Sequence, residues 1–145
     1  MDYSMHINTN TQSYIYNVIN DLYTSGKLTL IKDNYNLISC FFHKNTTITL
    51  GRNKPTYTYC NIPISIHAEI DILNKLKSKF IQTKKIQKGD LLILRVLKDG
   101  CLSIGCPCFH CIKQLEKAYY IKIRNIFYSD RMGIIKHINF NKLWN

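Results

Sequence analysis

Two short motifs, about forty residues apart, place the strongest constraint on how this chain of 145 residues can fold. The first is His67-Ala68-Glu69, and the second is Pro107-Cys108-Phe109-His110-Cys111. Together they supply one imidazole and two thiols, which are donors that zinc prefers, and a carboxylate that is not needed as a ligand. Three protein ligands leave one position of a tetrahedral metal open, as catalytic sites do. A chain that uses both motifs must therefore bring them to one place.

The spacing of apolar residues predicts that each motif opens an amphipathic helix. His67 and Glu69 then lie in the first turn of one helix, and both can face one pocket. Cys108 and Cys111 stand at i and i+3 in the first turn of the other, where the positive helix end favours their thiolate forms. Pro107 suits a first helical position, where its missing N–H costs nothing. The apolar stripes are Ile70, Leu73, Leu76 and Phe80 after the first motif, and Ile112, Leu115 and Tyr119 after the second.

The other elements are predicted from periodicity and turn signals. A first helix covers Thr11–Tyr23 and stops at Ser25-Gly26. Two strands rich in β-branched and aromatic residues, Leu37–Phe42 and Thr46–Leu50, form a hairpin around the turn Lys44-Asn45. Three further strands follow, of which the first is an uninterrupted apolar run suited to a sheet covered on both faces. They are Leu91–Val96, Asn125–Ser129 and Ile134–Asn139.

This order of elements predicts an α/β protein with three layers, in which helices cover both faces of a five-stranded mixed sheet. Only Asp130-Arg131-Met132-Gly133 joins the last two strands. So short a link requires an antiparallel hairpin, because a parallel return needs a crossover of a dozen residues or more. The segment Gly51–Ile66 is predicted to be irregular. The length and the 46% hydrophobic content suit one domain over residues 1–145.

Composition also bears on the cellular compartment. No apolar run approaches the eighteen residues of a membrane span, and the N-terminus lacks the pattern of an export signal. We therefore expect a cytoplasmic protein that does not contact membranes. Its six cysteines are then expected to be thiols, with Cys108 and Cys111 committed to a metal. Cys40, Cys60 and Cys101 are expected to be small buried hydrophobic residues.

The net charge of +11 is unevenly distributed. Residues 1–72 hold five basic and five acidic residues, whereas residues 73–145 hold fifteen basic and four acidic ones. Such a basic half fits a surface for phosphates or nucleic acid. A second explanation is compositional, because lysine outnumbers arginine sixteen to four, as an AT-rich coding sequence produces without selection for binding.

The succession of H-x-E and P-C-x-x-C resembles the cytidine deaminase-like superfamily, whose zinc-dependent members carry this signature. The resemblance covers roughly Leu37–Asn139, and the two motifs are its specific part. It implies the three-layer architecture described above. It also implies that His67, Cys108 and Cys111 hold Zn²⁺. Glu69 would then move protons while water replaces the amine of a nucleobase.

The resemblance implies contacts with a substrate as well. Asn53, the last residue of a G-x-N triplet, would contact ribose or deoxyribose, although an asparagine in a turn has the same pattern. Ala68 would offer its backbone N–H to the edge of the base. The residues alone suggest that Tyr128, Tyr57 and Tyr59 could stack on a base, with simple packing as the alternative in a chain with ten tyrosines.

Some features depart from particular branches of the superfamily. Cys106 and His110 lie inside the second motif, but a helical start directs them away from the metal, so we expect them to be neutral or to act behind the ligands. The residues before Pro107 are not the T-L-E of tRNA adenosine deaminases. His67 stands where free-nucleoside cytidine deaminases usually have a third cysteine ligand. The short final hairpin, in contrast, resembles the antiparallel arrangement of the last two strands in that branch. The substrate therefore stays open.

Three functions fit these motifs. The leading hypothesis is a zinc-dependent hydrolytic deaminase of a cytosine-type base in a nucleoside or nucleotide. The second is a deaminase that edits a base within single-stranded RNA or DNA, as the basic half suggests. The third is a non-catalytic zinc-stabilised binding module, against which Glu69 argues because a structural site needs no open position. The resemblance also implies that a homo-oligomer is possible, because members of the family often assemble into homo-oligomers.

Overall fold

The computed structural model of the protein describes residues 9–24, 35–57, 63–83, 86–97 and 101–140. Its helices are α1 (Thr9–Thr24), α2 (Ala68–Phe80) and α3 (Phe109–Lys117). Its longer strands are β1 (Tyr35–His43), β2 (Thr46–Arg52), β5 (Gln87–Leu97), β7 (Ile121–Ser129) and β8 (Ile135–Asn139). Three short strands are β3 (Lys54–Tyr57), β4 (Pro63–Ile66) and β6 (Leu102–Ser103). None of the helices in these ranges combines the length and the apolar character needed to cross a bilayer.

The main sheet has the strand order β2-β1-β5-β7-β8, and β6 pairs with β5 beside this path. β1 runs antiparallel to β2 and β5, β5 is parallel to β7, and β7 is antiparallel to β8. The predicted five-stranded mixed sheet with a final antiparallel hairpin is therefore confirmed. In the first hairpin, Lys44 and Asn45 have φ of 49° and 60°. Positive φ at both central residues is what a two-residue type I′ turn requires.

Helices cover both faces of the sheet, as predicted. In β5, Leu91 and Ile93 belong to the buried cluster that includes apolar residues of α2 and α3. Leu92, Leu94 and Val96 belong to the second cluster, on the face that α1 covers. All five side chains are buried, which explains why this strand is an uninterrupted apolar run.

The segment Gly51–Ile66 is less irregular than predicted. β2 extends to Arg52, and β3 pairs antiparallel with β4 in a separate two-stranded sheet. Pro55 and Pro63 both lie within this ladder. The prolines led to the wrong prediction because they cannot donate a ladder hydrogen bond, but a two-stranded ribbon has outward-facing edges that accommodate them.

Two predicted core positions are also wrong. α3 ends at Lys117, so Tyr119 lies in the following turn and is 69% exposed instead of continuing the apolar stripe. Cys101 is exposed because it lies in the loop before β6. Cys40 is buried as predicted, and Cys60 lies outside the described residues. The five cysteines in the described ranges are free thiols in the structure.

α2 packs very close to β2 at Gly51. A Cβ atom added there would lie 2.6 Å from Ser39 Oγ, 2.8 Å from the Ala68 carbonyl oxygen and 2.8 Å from Ile72 Cβ. Side chains do not tolerate such distances, so the absence of a Cβ lets the backbone of β2 approach the first turn of the helix. This approach positions the residues that directly follow His67.

Replacing Gly51 by alanine should lower the free energy of unfolding by about 1–3 kcal/mol, because the added methyl group forces the helix and the strand apart. Urea denaturation measures this change. Thr46→Ala, at an exposed position of the same strand, is the matched control and should shift it by no more than about 0.5 kcal/mol. Equal stability of the two variants would show that the close approach is unimportant.

Candidate metal centre and active site

The two motifs form the N-terminal ends of two helices. His67 is the N-cap of α2 and Cys108 is the N-cap of α3, and both have extended backbone conformations. The His67 carbonyl accepts hydrogen bonds from the N–H groups of Ile70 and Asp71 at 3.1 and 3.0 Å. Cys108 Sγ accepts one from the N–H of Cys111 at 3.5 Å. The helix starts therefore orient the candidate ligands.

The donor atoms of His67, Cys108 and Cys111 form a compact cluster. His67 Nδ1 lies 3.2 Å from Cys111 Sγ and 3.7 Å from Cys108 Sγ. All three donor atoms lie within 4.8 Å of one another. Zinc bonds of about 2.0 Å to nitrogen and 2.3 Å to sulfur, at tetrahedral angles, separate these two atoms by about 3.5 Å. Both the donor chemistry and the spacing of the cluster fit one zinc ion.

Glu69 lies beside this cluster in the first turn of α2 and is only 2% exposed. Burial raises the pKa of its carboxyl group, and its own backbone, the Cys111 side chain and His67 offset part of that rise. Burial likewise raises the pKa of the Cys111 thiol, and the neighbouring Glu69 carboxylate raises it further. A divalent cation among these groups would favour their ionised forms. The burial of the Glu69 carboxyl group and of the Cys111 thiol is therefore also consistent with a metal site.

Polar contacts hold the first turns of α2 against the β1–β2 hairpin. Ser39 Oγ is buried and donates to the Ala68 carbonyl at 2.7 Å. Asp71 Oδ2 accepts from the backbone N–H of Arg52 at 3.0 Å and lies 3.3 Å from Lys75 Nζ. Sequence reasoning overlooked both supporting residues. The available signals were a serine inside an apolar strand and a carboxylate on the helix that carries the first motif.

Asn53 extends the pairing of the hairpin beyond the end of β2. Its N–H donates to the Leu37 carbonyl at 3.0 Å, and its Oδ1 accepts from the Leu37 N–H at 2.9 Å. The side-chain oxygen is therefore engaged by the backbone, and the Nδ2 group is the part of the amide that does not take part in this pairing. Ala68 is fully buried at the first position of α2, where a helical N–H has no acceptor within the helix.

The remaining candidate residues have varied locations. Tyr128 is half-buried near the carboxyl end of β7 and packs against the cluster beneath α2 and α3. Its contact with a base stays a prediction. The side chain of Tyr57 and all of Tyr59 lie outside the described structure. Cys106 and His110 are exposed and do not belong to the donor cluster.

A cavity of about 540 Å³ lies elsewhere on the molecule. It is lined by the last turn of α3, the first half of β7 and the end of β8. The candidate ligands Cys111 and Cys108 are at the other end of α3, about 6 and 10 Å from the cavity along the helix axis. This cavity is therefore separate from the candidate metal centre.

Comparison with known proteins identifies the fold. No protein-family model and no curated protein matches the sequence. Among solved structures, the chain is similar to a cytidine deaminase from Burkholderia pseudomallei, with a TM-score of 0.59 and 10% sequence identity. The match covers 88% of this chain and 94% of that protein. The protein thus has a cytidine deaminase-like fold, in agreement with the resemblance of its motifs.

We expect the purified protein to bind one zinc ion per chain through the three clustered donors. Loss of a residue that merely orients a ligand lowers metal affinity by about 10- to 100-fold, so His67→Ala, Cys108→Ser or Cys111→Ser should lower it at least as much. Metal analysis after dialysis measures the zinc content. Cys106→Ser is the matched control and should retain the ion. Loss of zinc from this control to the same extent would contradict the assignment.

The raised pKa of Glu69 predicts a pH-dependent difference between the metal-free wild type and Glu69→Gln. Protonated Glu69 favours the folded state below the ordinary glutamate pKa of about 4.3, and this contribution is lost as the pH rises through the higher folded pKa. Glutamine does not ionise, so the variant should gain stability relative to the wild type between weakly acidic and neutral pH. Unfolding free energies at several pH values measure the difference. A difference that does not vary with pH would be inconsistent with the burial of an ionisable carboxyl group.

Proposed function

We propose that this protein is a zinc-dependent hydrolytic deaminase, which replaces the amino group of a cytosine-type base in a nucleoside or nucleotide and releases ammonia. The observation that carries the proposal is the buried carboxyl group of Glu69 beside a three-donor metal cluster. The fold supports it, because a solved cytidine deaminase has the same architecture.

His67, Cys108 and Cys111 would hold the metal through Nδ1 and two sulfur atoms. When bound, zinc supplies a Lewis acid that acidifies water at the open position. Because two thiolates and a neutral imidazole offset the charge of the ion, the site needs a protein base nearby. The position of Glu69, in the same helical turn that follows His67, meets that need.

Glu69 would act as the proton carrier. Its carboxylate takes a proton from the attacking water and delivers it to the ring nitrogen of the base. It then passes the second proton to the departing amine, so that water and the amino base become the carbonyl form and ammonia. The desolvated surroundings that raise the pKa of Glu69 favour this role, because the group must hold a proton between the two transfers.

Three further residues would bind the substrate. The Nδ2 group of Asn53 would donate to the sugar, since its Oδ1 is engaged by the Leu37 N–H. The N–H of Ala68 would donate to the edge of the base. Tyr128 would contribute its ring near the carboxyl end of β7. We place this enzyme in the cytoplasm, where its cysteines would stay reduced.

A non-catalytic zinc-binding module is the weaker alternative. A purely structural zinc site is closed by four protein ligands, whereas the described residues bring three donors to this cluster. In a module of that kind the buried carboxyl group of Glu69 would have no function. Its burial would still be unfavourable, because burial opposes the ionisation of a carboxyl group.

Replacing Glu69 by glutamine should lower the rate of ammonia release from cytidine, deoxycytidine or their monophosphates by at least about 10²- to 10⁴-fold, because proton transfer is lost. Zinc content should stay at the wild-type level. The chain has one other glutamate, Glu116, which is exposed in α3. Glu116→Gln is therefore the matched control and should leave the rate unchanged. An active Glu69→Gln enzyme would rule out this mechanism.

A further inference from the structure

The edge of β5 that faces β7 changes its partner near the carboxyl end of the strand. β7 runs parallel to β5 along this edge only as far as the pair Ile93 and Tyr128. Two residues later, β6 pairs antiparallel with β5 through Arg95 and Ser103. Because β1 pairs with the opposite edge over this whole length, β6 takes the place that β7 leaves. We call this point, formed by Arg95, Ser103 and Ser129, the strand junction.

Ser129, the last residue of β7, connects the three strands that meet at the strand junction. Its hydroxyl accepts a hydrogen bond from the backbone N–H of Arg95 at 3.1 Å and donates one to the Ser103 carbonyl. Its own carbonyl accepts from the N–H of Gly105 at 2.8 Å. The residue is 0% exposed. One side chain therefore satisfies backbone groups that would otherwise be buried without a partner where β7 leaves the edge of β5.

The loop that leads to the candidate ligand Cys108 packs directly on the strand junction. Gly105 lies three residues before that ligand and is buried. A Cβ atom added to it would lie 2.9 Å from the Ile93 carbonyl oxygen, and 3.2 Å from both the Arg95 nitrogen and Ser129 Oγ. The absence of a Cβ thus lets the backbone of the loop lie against the ends of β5 and β7.

The link from the strand junction to the donor cluster is short and stiff. Only Cys106 and Pro107 lie between Gly105 and Cys108. The ring of Pro107 fixes one backbone torsion of this link and restricts the conformation of Cys106 as well. Pro107 is also buried, so the link is packed against the protein. A displacement of Gly105 would therefore move the sulfur atom of Cys108.

Each of the two metal motifs has a buried serine in contact with the segment that carries it. Ser39 and Ser129 are both 0% exposed, and no other serine of the described residues is buried. Ser39 donates to the carbonyl of Ala68 in the first motif, whereas Ser129 holds the loop before the second motif. A buried hydroxyl is unfavourable unless it is bonded, so these two positions are tied to their partners.

We propose that Ser129 is a positioning residue of the candidate metal centre. Its hydrogen bonds to Ser103 and Gly105 set the place where the loop enters α3. That entry sets the separation of Cys108 Sγ from His67 Nδ1, which is 3.7 Å. None of the three clustered donors lies on β7, so the two motifs alone do not reveal this role. The inference rests on the proposed function for the zinc and its reaction, but metal binding measures it without turnover.

The test compares metal binding by the full-length wild type and by Ser129→Ala, with circular dichroism to verify that the variant is folded. The loop loses its fixed position because Arg95 and Ser103 lose their shared hydroxyl partner. Zinc affinity, measured by competition with a chelating dye, should fall about 10-fold or more, as is typical when a group that orients a ligand is removed. Cobalt(II) bound in place of zinc should show altered absorption bands, since these report thiolate ligation and tetrahedral geometry.

A second variant changes the strand junction from the side of the loop. Gly105→Ala places a methyl group against the Ile93 carbonyl and should displace the loop while Ser129 stays intact. It should lower zinc affinity and alter the cobalt bands as Ser129→Ala does, and it decides the question by itself if Ser129→Ala does not fold. Leu22→Ala, in the buried cluster beneath α1, is the matched control for lost stability. It should keep the zinc affinity and the cobalt bands of the wild type.

Turnover gives an additional measure in an active enzyme. At saturating zinc, Ser129→Ala should lower kcat for cytidine and leave KM nearly unchanged, because the hydroxyl is buried in the strand junction and acts through the metal ligand. A rise in KM with unchanged kcat would contradict a role that acts through the metal.

The outcomes separate this inference from the proposed function. Unchanged zinc affinity and cobalt bands in folded Ser129→Ala overturn the inference, even if the wild type releases ammonia from cytidine. Equal loss of affinity in Leu22→Ala also overturns it, since the loss would then follow stability alone. If Ser129→Ala weakens metal binding and alters the cobalt bands while the wild type releases no ammonia from any cytosine substrate, the proposed reaction fails and the positioning role stands.

Discussion

The close packing of the first turn of α2 against the β1–β2 hairpin is the contact on which the rest of the site depends. Gly51 permits the approach, because a side chain at that position would overlap Ser39, Ala68 and Ile72. Ser39 then bonds the Ala68 carbonyl, directly between His67 and Glu69 in the chain. The candidate ligand and the candidate proton carrier are thus placed by packing and hydrogen bonds at one helix end. A shift of that end would displace both together.

The meeting point of the starts of α2 and α3 concentrates buried acidic groups whose ionisation is unfavourable without a metal. Burial raises the pKa of Glu69 and of Cys111, and the Glu69 carboxylate raises the pKa of Cys111 further, whereas the contact with Cys111 lowers that of Glu69. A folded chain that keeps these acids buried gives up stability, and a bound cation would restore it by favouring their charged forms. Binding of a metal by the three clustered donors and stability would therefore be linked at this site.

The candidate metal centre and the loops around it are built in different ways. The metal donors lie at two helix N-termini that pack on the sheet. The loop before α3 and the turn after β7, in contrast, are held by hydrogen bonds of Gly105, Ser129 and Asp130. Loops of this kind can change without disturbing the packed core. Phe109 joins the two parts, since it follows a candidate ligand and yet faces solvent.

Short-range patterns were sufficient for much of this protein. They identified the three main helices, the final hairpin, the Lys44-Asn45 turn and the residues of the donor cluster, because each depends on neighbours a few positions away. They underestimated β7, which begins at Ile121, because the charged residues Lys122 and Arg124 interrupt its apolar positions.

Tertiary contacts decided what those patterns could not. The amide oxygen of Asn53 is engaged by Leu37, and Asp71 bonds the backbone of Arg52, although each pair is separated by more than fifteen residues. The β3–β4 ribbon likewise forms in spite of its prolines. Local sequence specifies helix starts and ligand types, because these depend on backbone preference and side-chain chemistry. Which polar groups support the site, and which apolar ones stay exposed beside it, depends on the approach of distant segments, and only the folded chain determines that.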